Sequence, residues 1–127
     1  MNEERFRHYT LGHPVLDKAH WEMAQVLSQL TKELKAGNFD KARPLLEDIV
    51  RHTVEHDLVE QALMVESKYP YAAWHILQNE RIIKESNALL ENIDKRNVDP
   101  FEIHAFEDKL LGHIDWDDRQ LADWLNK

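Results

Sequence analysis

A chain of 127 residues, 43% hydrophobic and 31% charged, has the length and balance of one domain with a real core. Its formal net charge of −8 with histidine neutral, and the absence of any Lys/Arg cluster, argue against nucleic acid or an anionic membrane as partner. Cysteine is absent, which removes disulfides, thiolate ligands and a thiol nucleophile.

No apolar run reaches membrane-spanning length and residues 1–4 carry no signal-peptide pattern, so a cytoplasmic protein is the expectation. With Gly 3 and Pro 4 the chain is too poor in turn formers for a sandwich or barrel, and helices are favoured.

Residues 1–12 hold Phe6 and Tyr9 among charges without a clear period. They read as an N-terminal arm that packs its aromatics on the body, with His8 and His13 at the surface. A first helix is predicted over residues 14–36, stopped by Gly37 and Asn38. Leu16, His20, Met23, Leu27, Leu30 and Leu34 fall on one face of it, which places His20 in the core stripe.

The second helix should begin within residues 39–44 and end before Tyr69-Pro70; Pro44 must sit in its first turn or bend it. Its stripe is Ile49, Thr53, His56, Glu60 and Leu63. A carboxylate in such a stripe is costly unless something neutralises it, and one histidine seldom suffices. The third helix is expected to open with Pro70 in its first turn and to bury Ala72, His75, Asn79, Ile82, Leu89 and Ile93. Its end lies within residues 92–98. The fourth has the clearest start, with Asp99 as N-cap, Pro100 in the first turn and Glu102 at the capping-box position. Ile103, Phe106, Leu110, Ile114, Leu121 and Leu125 supply its stripe, with His113 beside Ile114. Tryptophans 21, 74, 116 and 124 read as packing residues, and His104 as exposed. Four helices with short loops over residues 1–127 predict an all-α, up-down-up-down four-helix bundle forming a single domain.

Each predicted helix places metal-binding types on its inward face: His20 on the first, His56 and Glu60 on the second, His75 on the third, and His113 with Asp117 or Asp118 on the fourth. Imidazole and carboxylate without thiolate suit iron, manganese or zinc. Four histidines and two acids exceed what one divalent ion needs, which points to a two-metal site. The Glu-x-x-His pairs of ferritin-like bundles and the His-Glu-x-x-His of zinc proteases are both absent.

Along nearly its whole length the chain resembles the hemerythrin family. The matching pieces are Leu-Gly-His-Pro-Val-Leu-Asp-Lys-Ala-His (11 to 20), His56-x-x-x-Glu60 with Met64, Tyr69-Pro70 followed by His75, and Leu110-x-x-His113-Ile114 continuing to Asp118 and Leu121-Ala122. The resemblance implies a bundle holding two iron ions, joined by an oxo or hydroxo bridge, that binds O2. It matches His20 and His56 to ligands of the iron with an open position, His75 and His113 to ligands of the other, and Glu60 and Asp118 to bridging carboxylates. Asp118 lies about 140° from His113 round an ideal α-helix, so a π-bulge or a long reach is required. Asp117 is the cleaner choice by geometry; Asp118 is preferred because Leu121-Ala122 sets the register. Leu110 and Ile114 match residues lining the family's O2 pocket, where dryness limits proton access to the bound ligand.

Two positions depart from the family. Asn79 stands where the family has a fifth histidine, four residues after His75, and offers a weaker, neutral donor. His52 replaces a common tyrosine one turn before His56; it is expected to support the site from outside, and the sharper alternative makes it a ligand. The leading expectation is therefore an O2-binding protein for storage, delivery or sensing. No general base or substrate pocket beyond the ligands marks an enzyme. The Asn79 departure keeps open a redox protein acting on peroxide or NO, and loss of the metals would leave a helical interaction module.

Overall fold

The computed structural model describes residues 7–95 and 98–127, and every regular element among them is helical. The elements are α1 (Pro14–Lys35), α2 (Phe39–Ser67), α3 (Ala72–Asp94), α4 (Pro100–His113), a π-helical stretch (Ile114–Asp118) and α5 (Arg119–Leu125). The last three run on as one rod, so the described residues form four long helical segments. α1 packs on α2, α2 on α3, α3 on α4, and α4 returns to α1. None of the described helices is long and apolar enough to cross a membrane.

Local sequence sets the rod ends. Pro14 opens α1, and Asp17 in its first turn accepts from the Leu11 and Gly12 amides at 2.6 and 3.0 Å, tying the incoming segment down. Gly37 takes φ 75°, which lets the Asn38 amide reach the Glu33 carbonyl at 2.9 Å and closes α1. Asp99 caps α4 by accepting from the Glu102 amide at 3.0 Å.

The two prolines differ from expectation. Pro44 lies in the second turn of α2, on its exposed side, where its missing N–H leaves the Asp40 carbonyl without an α-helical donor. Pro70 precedes α3 in the turn, with Tyr71 as the residue before the helix.

Tyr9 is fully buried and donates from its hydroxyl to Glu107 Oε2 at 2.7 Å, while Phe6 falls outside the described residues. His8 and His104 are exposed, and His13 is half-buried. Three of the four tryptophans expected to pack are exposed instead: Trp21, Trp74 and, at 69%, Trp116.

The buried apolar side chains divide into two clusters. The larger includes Met23, Leu27, Ile49, Ile82, Leu89, Phe106, Leu110 and Ile114. The smaller holds Leu16, Met64, Tyr69, Leu121 and Ala122. Along every rod, a set of buried polar side chains falls between a member of one cluster and a member of the other: His20 between Leu16 and Met23, Glu60 between Ile49 and Met64, His75 and Asn79 between Tyr69 and Ile82, and His113 and Asp118 between Leu110 and Leu121; buried Glu107 instead lies within the larger cluster, between Phe106 and Leu110. A polar layer is thus enclosed at both ends by hydrocarbon.

Candidate metal centre

Six side chains meet in that layer. His20 Nε2 lies 2.9 Å from Asp118 Oδ2. His56 Nε2 lies 3.0 Å from Glu60 Oε2 and 3.8 Å from Asp118 Oδ2. Across the layer, His75 Nε2 is 3.0 Å from Glu60 Oε1 and 3.1 Å from Asp118 Oδ1, and His113 Nε2 is 3.3 Å from Asp118 Oδ1. Each carboxylate therefore turns one oxygen to the His20/His56 pair and the other to the His75/His113 pair. Glu60 and Asp118 are fully buried, and the two imidazole pairs have ring centroids 4.8 and 5.6 Å apart.

The donors form two groups that could each hold a metal ion. One is His20, His56, Glu60 and Asp118; the other is His75, His113 and Asp118, with donor atoms in each within 4.8 Å of one another. Glu60 Oε1 joins the second group through its contact with His75. With metal–ligand bonds near 2.1 Å, adjacent donors of one coordination shell sit about 3 Å apart, the separation seen for most of these contacts. Hydrogen bonding leaves the layer incomplete: His56 Nε2, Glu60 Oε2 and Asp118 Oδ1 are buried and lack an aligned partner. Close, buried and unaligned lone-pair donors are what a cation between them would satisfy. The residues fit a divalent ion of the first transition row.

The fourth rod meets its geometric problem with the π-helical stretch. Its wider turn carries Asp118, five residues after His113, back to the buried face. Asp117, four residues after His113, is left outside the donor groups and turns Oδ2 to His113 Nδ1 at 2.9 Å. Trp74 Nε1 donates to the other Asp117 oxygen at 3.2 Å, so this exposed tryptophan has a polar task. One acid thus orients the imidazole from behind while its neighbour shares the front. Asp117→Asn is expected to weaken metal retention at the His75/His113 group by about 10- to 100-fold, the usual cost of losing such an orienting partner. Release to a competing chelator measures this.

Asn79 is buried at the same depth, with Oδ1 2.7 Å from His113 Nε2 and Nδ2 donating to Glu60 Oε1 at 2.8 Å and to Asp57 Oδ1 at 3.0 Å. Asp57 is itself buried and accepts from Gln61 Nε2 at 2.8 Å. The stripe pattern passes over Asp57, because its partner comes from α3; only its place three residues before Glu60 hints at it. His52 is half-buried and belongs to neither donor group.

A cavity of about 30 Å³ adjoins the layer, lined by Ala19, His20, Met23, His52, Thr53, His56, Asn79, Ile82, Leu110, His113 and Asp118. That is room for one water-sized guest. Leu110 borders it, whereas Ile114 is fully buried in the larger apolar cluster and is not among its lining residues.

Charge in the layer is tightly coupled. Burial works to push the His56 and His75 imidazoles down, but the Glu60 and Asp118 carboxylates outweigh it and raise both from 6.5 to about 10. His113 moves up for the same reason, with Asp117 assisting Asp118 and Glu60 against burial. Burial and the Asp118 charge oppose ionisation of Glu60, yet His56 and His75 hold it below the usual range. Asp118 is held well below that range by His113, His20 and His56 despite its burial. Comparisons with protein-family models, curated proteins and solved structures gave no match to this chain.

Proposed function

We propose that this chain is a hemerythrin-like protein, an up-down-up-down four-helix bundle whose buried histidines and carboxylates hold two iron ions and bind O2. Storage, delivery or sensing of the gas in the cytoplasm is the role that follows. The observation that carries the proposal is the pair of carboxylates, Glu60 and Asp118, each offering one oxygen to each pair of imidazoles. A single ion needs no such arrangement.

The alternating rod direction rests on the order of the apolar clusters. Along α1 and α3 the small cluster precedes the polar layer and the large one follows; along α2 and the fourth rod the order reverses.

Iron bound in this layer supplies the electrons for reversible O2 binding. The chain's own residues do the rest. Met23, Ile82 and Leu110 give the small cavity an apolar border that restricts water and protons. Asp117 keeps His113 turned so that Nε2 faces inward.

The Asn79 side chain favours a second reading, in which the centre acts on peroxide or NO. An amide oxygen in place of an imidazole leaves that ion with a weaker donor and a readier exchange position. The third reading, a metal-free interaction module, leaves two buried carboxylates with poorly aligned partners. A visible spectrum of the iron-loaded protein under O2 and then vacuum separates the readings. A charge-transfer band that appears and disappears reversibly is expected. Irreversible bleaching, or turnover of peroxide, would replace O2 carriage with the redox reading.

A further inference from the structure

Asn79 and Asp57 form a unit that the imidazole–carboxylate pattern does not explain. We infer that Asn79 is a metal ligand through Oδ1, and that the buried carboxylate of Asp57 is a positioning residue that fixes the amide in this orientation. The inference rests on the two-metal reading and adds a donor to one half of it.

The amide orientation is set by its neighbours. Nδ2 lies between Asp57 Oδ1 at 3.0 Å and Glu60 Oε1 at 2.8 Å. Turning the amide over would put its oxygen between two carboxylate oxygens, with no proton to share. Oδ1 must therefore face His113 Nε2, 2.7 Å away.

On the far side of that ring, Nδ1 faces the Asp117 carboxylate at 2.9 Å and carries the proton that joins them. In the neutral tautomer the Nε2 lone pair then points at two further acceptors, Asn79 Oδ1 and, at 3.3 Å, Asp118 Oδ1. Three such atoms this close need a positive charge among them, a proton on Nε2 when the site is empty or a metal ion when it is loaded. His75 Nε2 and Glu60 Oε1 complete the group, 3.0 Å from each other.

Asp57 makes sense only through the amide. It is buried, belongs to neither donor group, and takes its hydrogen bonds from Asn79 and Gln61. A buried acid is costly unless it is hydrogen-bonded, and both donors that Asp57 has are side-chain amides. The outcome is an unequal pair. The His75/His113 half has Glu60, Asp118 and the Asn79 oxygen as oxygen donors, while the His20/His56 half has only Glu60 and Asp118. Carbonyl and carboxylate oxygens suit harder ions such as Mn(II) and Fe(II).

The test uses the full chain loaded anaerobically with Co(II), whose d–d absorption reports coordination, followed by release to a chelator. Wild type is expected to release two ions per chain in resolvable phases. In Asn79→Ala and Asp57→Ala one phase should accelerate at least about tenfold, with a changed cobalt spectrum, while the other phase stays put. Asp57→Asn keeps the volume and an oxygen that can still accept from Asn79 Nδ2, so it should disturb the slow phase less than Asp57→Ala does. Equal acceleration of both phases, or unchanged release and spectrum in Asn79→Ala, overturns the inference while leaving two bound ions intact. Wild type that binds no cobalt overturns the two-metal reading and this inference with it. Should Asp57→Ala fail to fold, Asn79→Ala and Asp57→Asn decide the matter.

Discussion

In the proposed two-metal centre, replacing Asp118 by alanine is expected to remove both ions, not one. The reason lies in the geometry of a single carboxylate. Oδ2 faces His20 at 2.9 Å and His56 at 3.8 Å, while Oδ1 faces His75 at 3.1 Å and His113 at 3.3 Å. Among the described residues, Glu60 is the other one that offers an oxygen to both imidazole pairs, so loss of Asp118 takes a donor and half a shared negative charge from each ion. His20→Ala, by contrast, should cost only the ion of its own pair. The comparison of these two variants by elemental analysis is the informative one. Because breaking a buried charge pair costs about 3 to 5 kcal/mol, helix content must be checked by circular dichroism. Asp118→Asn keeps the side-chain volume but presents one oxygen instead of two, so it should lose the ion that the amide nitrogen is left facing. Retention of one ion in Asp118→Ala, or of both in Asp118→Asn, would mean that the carboxylate does not bridge.

Metal affinity is expected to fall steeply with acid. An imidazole must shed its proton before it can ligate, and His56 and His75 hold theirs up to about 10. Below that value each ion displaces at least one proton, so affinity should drop about tenfold per pH unit, or about 100-fold between pH 8 and pH 6. The His75/His113 group should be steeper, since His113 is also raised. Calorimetric titration in buffers of different ionisation enthalpy counts the released protons. A pH-independent affinity would show that the imidazoles are not the ligands.

On the alkaline side, stability of the chelator-stripped protein has the opposite sign. Raised histidines contribute fully below their unfolded value of 6.5 and lose that contribution as pH climbs towards 10. Glu60 and Asp118, held low, contribute above their ordinary range and lose that contribution as pH falls through their folded values. Thermal midpoints should therefore decline on both sides, and the alkaline decline should vanish once metal replaces the protons.

Much of the layer could be read from spacing alone, because helical period and burial coincide for Leu16, His20, Met23, Leu27, Leu30 and Leu34, all of which are buried. The Asp99-Pro100 start was equally legible, since capping is a local matter. The π-helical stretch was foreshadowed only through the hemerythrin resemblance, whose Leu121-Ala122 register selected Asp118 over the geometrically simpler Asp117 and so demanded a bulge or a long reach.

What spacing could not reveal comes from partners on other rods. Asp57 looks solvated by its position beside His56, yet Asn79 on α3 makes it a buried acceptor. Glu107 is covered in the same way by Tyr9. The tryptophans misled in the other direction: large apolar side chains need not be buried, and Trp74 instead spends its N–H on Asp117. Pro44 shows that a long, well-packed helix tolerates one lost hydrogen bond beyond its first turn.

The most direct measurement is the metal content of the wild-type chain, reconstituted with Fe(II) without oxygen and freed of loosely held ions. Two iron ions per folded chain is the result this account requires. A folded chain that retains none, or that takes up only one however much iron is supplied, would contradict it.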